Sequence, residues 1–191
     1  MPESLIQKKN RAHKILGRLK KAYPNAKIVL NYENNMQLLT AVILSAQCTD
    51  KKVNEVTEKL FKKYKTVDDF ARANLKTFEQ EIRSTGFYHN KAKNIIAAAY
   101  MIRDKFNGRL PKTMEELVGL PGVARKTANI VLGNAYEIVE GIAVDTHVRR
   151  VSRHLGLTTE QNPVKIEQDL MKLFDKKDWF KHPLETVNFM S

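Results

Sequence analysis

Two residues of this 191-residue chain have the type and place for covalent chemistry: Lys126 and Asp145. Lys126 lies in "GLPGVARKTANIVLGNA", residues 119–135, where a glycine- and proline-rich turn runs into Arg125, Lys126 and a helix with an apolar face. A helix start favours negative charge, so a lysine there is out of place on electrostatic grounds alone. It belongs there if an anion is held nearby, or if the amine is meant to lose its proton. Partial desolvation among other cations disfavours the ammonium form, and the neutral amine can attack carbon and form a Schiff base. The plainer reading is a phosphate-contacting lysine, in a chain with 33 Lys and Arg. Asp145, in "GIAVDTHVRRV", stands 19 positions further on, after an apolar run and before a helix. It reads as an N-cap, and the same carboxylate can stabilise a cationic intermediate or take part in proton transfer. The two roles are compatible.

These residues need a turn and two helix starts to position them. In "LPGV" the proline fixes one backbone angle and the glycine permits a positive φ, so the chain can reverse between two helices. The second helix is predicted to begin near Ala124 or Arg125. Its first N–H groups form a phosphate site that requires no particular base. An ordinary connection between two helices, with basic residues facing solvent, is the alternative.

The rest of the chain is also helical in pattern. A basic helix is predicted over Ser4–Tyr23, closed by Pro24, and no acid separates Glu3 from Glu33. "MQLLTAVILSAQ" is apolar nearly all round and predicts a buried helix. Asp50 can cap "KKVNEVTEKLFKKY". Shorter helices follow in "TVDDFARA" and "LKTFEQEIRSTG", then a long one in "NKAKNIIAAAYMIRDKFNG". Asn162 caps a last helix with Pro163 at its first position. No alternating strand pattern extends beyond "KIVLNY", so the fold class is all-α.

Composition narrows the partners. The formal net charge of +12 points to a polyanion, with nucleic acid first and an anionic membrane surface second. No apolar run is long enough for a membrane span and no secretory signal opens the chain. Cys48 is the only cysteine, so the 191 residues cannot form a disulfide or a multi-cysteine metal site. A cytoplasmic setting is expected, nucleoid-associated in a bacterium. The scattered histidines His13, His89, His154 and His182 suggest no metal site.

Taken together, "LPGVARKTANIVLGNA" and "IAVDTHVRRV" resemble the endonuclease III family of helix-hairpin-helix DNA glycosylases. "LLTAVILSAQCTDKKVNEV" and "GFYHNKAKNI" fall in the same order and spacing as that family's other landmarks, and the resemblance runs from about Ala12 to about Trp179. It implies a two-lobed fold with DNA in the cleft between the lobes. One lobe is expected to be a six-helix domain over 28–139 that ends in the hairpin, about 113–135. The other joins residues 1–27 to 140–191. It also implies a bifunctional enzyme of base-excision repair, a DNA N-glycosylase and abasic-site β-elimination lyase, acting as a monomer on oxidised pyrimidines in double-stranded DNA. Lys126 matches the family's Schiff-base lysine and Asp145 its essential aspartate. Leu120, Pro121, Gly122, Val123 and Ala124 match the phosphate-holding hairpin, with Arg125 and Thr127 beside it. Gln47 matches the residue that fills the gap left by an extruded nucleotide. Phe87 stands where the family has an apolar wedge; its other reading is a core aromatic. Ser45, Asp50, Thr146 and His147 fall in or beside the site. A non-catalytic or monofunctional DNA-binding protein, or a glycosylase for other lesions, remains the alternative.

Two departures from the family pattern bear on these expectations. Ala124 replaces the hairpin's third glycine, which costs about 1 kcal/mol if that position needs a positive φ and almost nothing if it already lies at the helix start. The family's iron–sulfur cluster is the other. Its cysteines are absent from this sequence, so no cofactor is expected. The chain is either naturally cluster-free or cut short after Ser191, and the first is preferred.

Overall fold

Stretches of helical period, each set off by a polar cap or a glycine, build ten α-helices in the computed structural model, which describes residues 3–22 and 29–179. They are α1 (Leu5–Ala22), α2 (Asn35–Ser45), α3 (Asp50–Lys63), α4 (Val67–Ala71), α5 (Leu75–Glu81), α6 (Tyr88–Lys105), α7 (Met114–Val118), α8 (Arg125–Tyr136), α9 (Thr146–His154) and α10 (Pro163–Leu173). Among the described residues there is no strand. The stop at Pro24, Lys27 and Ile28 of "KIVLNY", and His182 lie outside them. Residues Val29–Ile138 pack as one unit, and the two chain ends, Met1–Ile28 and Val139–Ser191, as a second.

In the first unit α2 is buried along its length, from Met36 to Leu44, and packs against α8 and α3. That placement explains its all-round apolar sequence. The rings of Tyr64, Phe70 and Phe78 form an edge-to-face and tilted cluster with centroids 5.1–6.2 Å apart. This unit holds seven α-helices rather than six. The short helix expected in "TVDDFARA" is among them, and Thr66 and Asp69 close a capping box around this five-residue α4.

The second unit is built around Ala12 and Leu16 of α1, Ile142 and Val144, Val148 of α9, and Ile166, Leu170 and Leu173 of α10. Arg11 fixes α1 at the end of α9. Its Nη1 donates to the Leu155 carbonyl at 2.6 Å and its Nη2 to that of Gly156 at 3.2 Å. A cation suits a helix C-terminus, where the carbonyls are unsatisfied. Asn162 caps α10 with Pro163 in its first turn, as expected.

Candidate active site

The hairpin begins with α7, capped by the Thr113 hydroxyl, which accepts from the Glu116 N–H at 3.3 Å. The turn closes through the Leu120 N–H on the Leu117 carbonyl and the Val123 N–H on the Leu120 carbonyl, 3.0 and 3.1 Å. Leu120 and Val123 turn their side chains into the core. They can therefore offer a ligand only main chain, whereas Gly122 and Ala124 are exposed and Pro121 is half-buried. Gly122 has φ +76°, and a Cβ there would lie 2.8 Å from the Asn94 Cβ of α6. Both the backbone angle and the close approach require glycine.

Ala124 resolves the first departure from the family pattern. Its φ of −88° and ψ of 167° are extended backbone that alanine adopts without strain. It is the N-cap of α8, and no side chain caps that helix. Lys126 sits on the first turn of α8 and is exposed, with Arg125 and Thr127 half-buried on either side. The partial desolvation of Lys126 by the protein itself, expected from the sequence, is therefore not found.

Asp50 is an acidic group within electrostatic reach of Lys126. The expected cap of α3 is displaced by one residue: Thr49 caps the helix, accepting from the Lys52 N–H at 3.3 Å. Two adjacent polar residues compete for one cap, and the extended backbone at Thr49 decides it. Asp50 thus enters the first turn of α3, half-buried, without the capping duty. Burial pushes its carboxyl pKa up, and the charge of Lys126 pulls it back down.

Gln47 and Phe87 are both exposed and both left-handed, with φ of +54° and +48°. Phe87 is 65% exposed, so it is not a core aromatic. Four non-glycine residues have positive φ among those described, and three of them, Gln47, Asn107 and Glu137, lie at or just past the end of a helix, the common left-handed position. Phe87 instead starts one, as the N-cap of α6. An apolar side chain in a strained conformation on the surface is a functional signature. Ser45 ends α2, its hydroxyl donating to the Val42 carbonyl at 2.9 Å.

In the second unit Asp145 is the expected N-cap. Its Oδ1 accepts from the N–H groups of His147 and Val148 at 2.9 and 2.8 Å. Both capping bonds use Oδ1. Thr146 is exposed and His147 half-buried on the first turn of α9.

One residue near these loops escapes a reading of the sequence. Lys91 is only 5% exposed. Its Nζ donates to the carbonyls of Leu44 and Thr85 at 2.8 and 2.7 Å, and burial lowers its pKa. The available signal was its position: Lys91, Ile95, Ala98 and Ile102 share the i, i+4, i+7, i+11 face of α6.

No group of three or more His, Cys, Asp and Glu that could hold a metal occurs among the described residues. Cys48, the sole cysteine, is half-buried between α2 and α3. A cysteine-ligated iron–sulfur cluster does not fit the residues present, whose one cysteine is Cys48.

An all-α hairpin with these features defines a DNA-repair fold, and comparison with known proteins identifies it. The family described as HhH-GPD superfamily base excision DNA repair protein matches residues 40–176. The chain is 52% identical over 175 residues to an endonuclease III of Synechocystis sp., covering 92% of this chain and 80% of the relative. It is 47% identical over 158 residues to an endonuclease III of Bacillus subtilis, covering 82% and 72%. A solved structure of a trapped endonuclease III–DNA covalent intermediate superposes with a TM-score of 0.88 at 44% identity, covering 92% of this chain and 83% of that one. The chain belongs to the HhH-GPD superfamily of base-excision DNA repair proteins. It is an endonuclease III homologue, a DNA glycosylase with abasic-site lyase activity.

Proposed function

We propose that this chain removes oxidised pyrimidines from double-stranded DNA as a monomer in the cytoplasm, with Lys126 as nucleophile. The Lys126 amine attacks C1′ of the extruded nucleotide and the base leaves with the electron pair of the glycosidic bond, taking up a proton. The sugar ring opens to a protonated imine between Nζ and C1′. Loss of a proton from C2′ then expels the 3′ phosphate by β-elimination, and water releases the enzyme.

Asp50, half-buried on the first turn of α3 with Lys126 within electrostatic reach, is the carboxylate we assign to take the proton that Lys126 must lose. Asp145 is assigned the stabilisation of positive charge on the sugar, by its match to the family's aspartate. The hairpin backbone from Leu120 to Ala124, with Arg125 and Thr127, holds a phosphate next to the lesion. Gln47 and Phe87 enter the duplex and offset the lost stacking, which costs a few kcal/mol. Ser45, Thr146 and His147 line the surroundings of the extruded nucleotide. The surplus of 33 Lys and Arg over 21 Asp and Glu supplies salt-sensitive affinity for any sequence.

The observation that carries this reading is Lys126 itself, exposed on the first turn of a helix that no side chain caps. The test offers duplexes with a single thymine glycol, 8-oxoguanine or mismatched thymine. Release of the oxidised pyrimidine with a β-elimination end is expected. Release without strand cutting, or activity confined to the other two lesions, contradicts the proposal.

A further inference from the structure

The start of α6 lies beneath three loops at once. Asn94 abuts Gly122 of the hairpin. Lys91, one turn earlier, reaches the two loops that carry Gln47 and Phe87. Its Nζ bonds to Leu44 lie three residues before Gln47, and its bonds to Thr85 two residues before Phe87. Its backbone N–H adds a bond to the Phe87 carbonyl at 3.1 Å. Thr85 is itself buried, its hydroxyl donating to the Ile82 carbonyl at 2.8 Å.

A buried lysine costs free energy unless its donors are satisfied. Here the ammonium joins two carbonyls from segments 41 residues apart, and each segment ends in a left-handed, exposed residue. Such backbone persists only where its surroundings over-determine it. The anchoring carbonyls lie three residues before Gln47 and two before Phe87, in the turns that lead into them. Both carbonyls close a helical turn, where a cation satisfies unpaired acceptors, and the same two bonds tie together the turns that carry Gln47 and Phe87.

We infer that Lys91 is a positioning residue that locks the Gln47 and Phe87 loops to each other, so that both side chains enter the duplex as one rigid wedge. The inference rests on the assignment of Gln47 and Phe87 as the inserted residues. Lys91 touches neither the reacting sugar nor the nucleophile. It acts by removing the entropy of placing two side chains separately, a cost otherwise met at each extrusion event.

The test follows extrusion by the fluorescence of 2-aminopurine placed beside a tetrahydrofuran abasic analogue in a duplex, using the full chain. Four proteins form a cycle: wild type, Lys91→Met, the Gln47→Ala/Phe87→Ala double variant, and the triple variant. Lys91→Met is expected to slow the fluorescence change by about tenfold or more while duplex affinity stays within about threefold. In the wedge-less background the same substitution is expected to have no further effect, because coupled residues are not additive. Lys91→Arg keeps the charge and both donors, and is expected to recover most of the rate. If Lys91→Met does not fold, the cycle is run with Lys91→Gln, which shortens the reach and drops the charge. An unaltered rate in the Lys91 variant, or an equal loss with and without the wedge residues, overturns the inference. Wild-type extrusion by the Gln47→Ala/Phe87→Ala variant instead overturns the wedge assignment on which it rests.

Discussion

The starts of α8 and α9 are opposite solutions to one problem, the unsatisfied N–H groups of a helix start. At α9 the chain supplies its own anion, and Asp145 Oδ1 takes two of those donors. At α8 the cap position is an alanine, which has no acceptor to give, and the next two residues are cations. The first arrangement is self-sufficient; the second suits an anion from outside. Capping is worth about 1 kcal/mol, so α8 forgoes a readily available gain at the helix start we propose as the phosphate site. An uncapped helix start is therefore informative when set against a capped one, because either could have been capped by one substitution.

The largest effect that sharpens this contrast comes at Asp145. Asparagine caps as well as aspartate, so Asp145→Asn is expected to keep the stability of α9 while lowering glycosylase turnover by roughly a hundredfold. Asp145→Ala is expected to lose the turnover and also about 1 kcal/mol of stability. Thermal melts and single-turnover rates on the pair separate the roles. Full activity in Asp145→Asn would leave only the cap.

Converting one helix start into the other gives a smaller effect of opposite sign on stability and binding. Ala124→Ser places an acceptor at the α8 cap and is expected to stabilise the protein by about 0.5–1 kcal/mol. It is also expected to weaken duplex binding several-fold, because the hydroxyl competes with phosphate for the same N–H groups. Denaturant melts and titrations at fixed salt measure both. Tighter binding by the serine variant would break the comparison.

The smallest effect concerns Asp50. Its carboxyl binds a proton more tightly in the folded than in the unfolded state, because burial raises its pKa. Its contribution to stability is thus greatest in acid and is lost as pH rises from the ordinary aspartate value through the raised one. Asp50→Asn is expected to raise Tm by on the order of 2 °C at pH 7 and by less near pH 3. The gain is expected to be larger in a Lys126→Gln background, where the compensating charge is gone. An equal change at both pH values would show that the carboxyl is not desolvated.

Much of this was legible in the chain itself, because local chemistry dictates it. The apolar run at Met36–Leu44 had to be buried, Asp145 and Asn162 had to cap, and "LPGV" had to turn. Features decided by competition or by tertiary contact were not legible. Thr49 and Asp50 can each cap α3, and only the backbone angle at Thr49 selects between them. Phe87 has the composition of a core residue and is forced outward by the left-handed turn after Gly86. Lys91 is one basic residue among 33, distinguished only when its ammonium is found between two carbonyls of distant segments. Lys126 is exposed on the first turn of α8, which the helix-start pattern alone does not specify.

The most direct test of the central claim is borohydride trapping on a duplex with one abasic site, followed by peptide mapping of the adduct. The account predicts a covalent protein–DNA product joined through Lys126 and none with Lys126→Gln, while duplex binding by that variant stays salt-sensitive and within about tenfold of wild type. An adduct on any other residue, or undiminished trapping by Lys126→Gln, would contradict it.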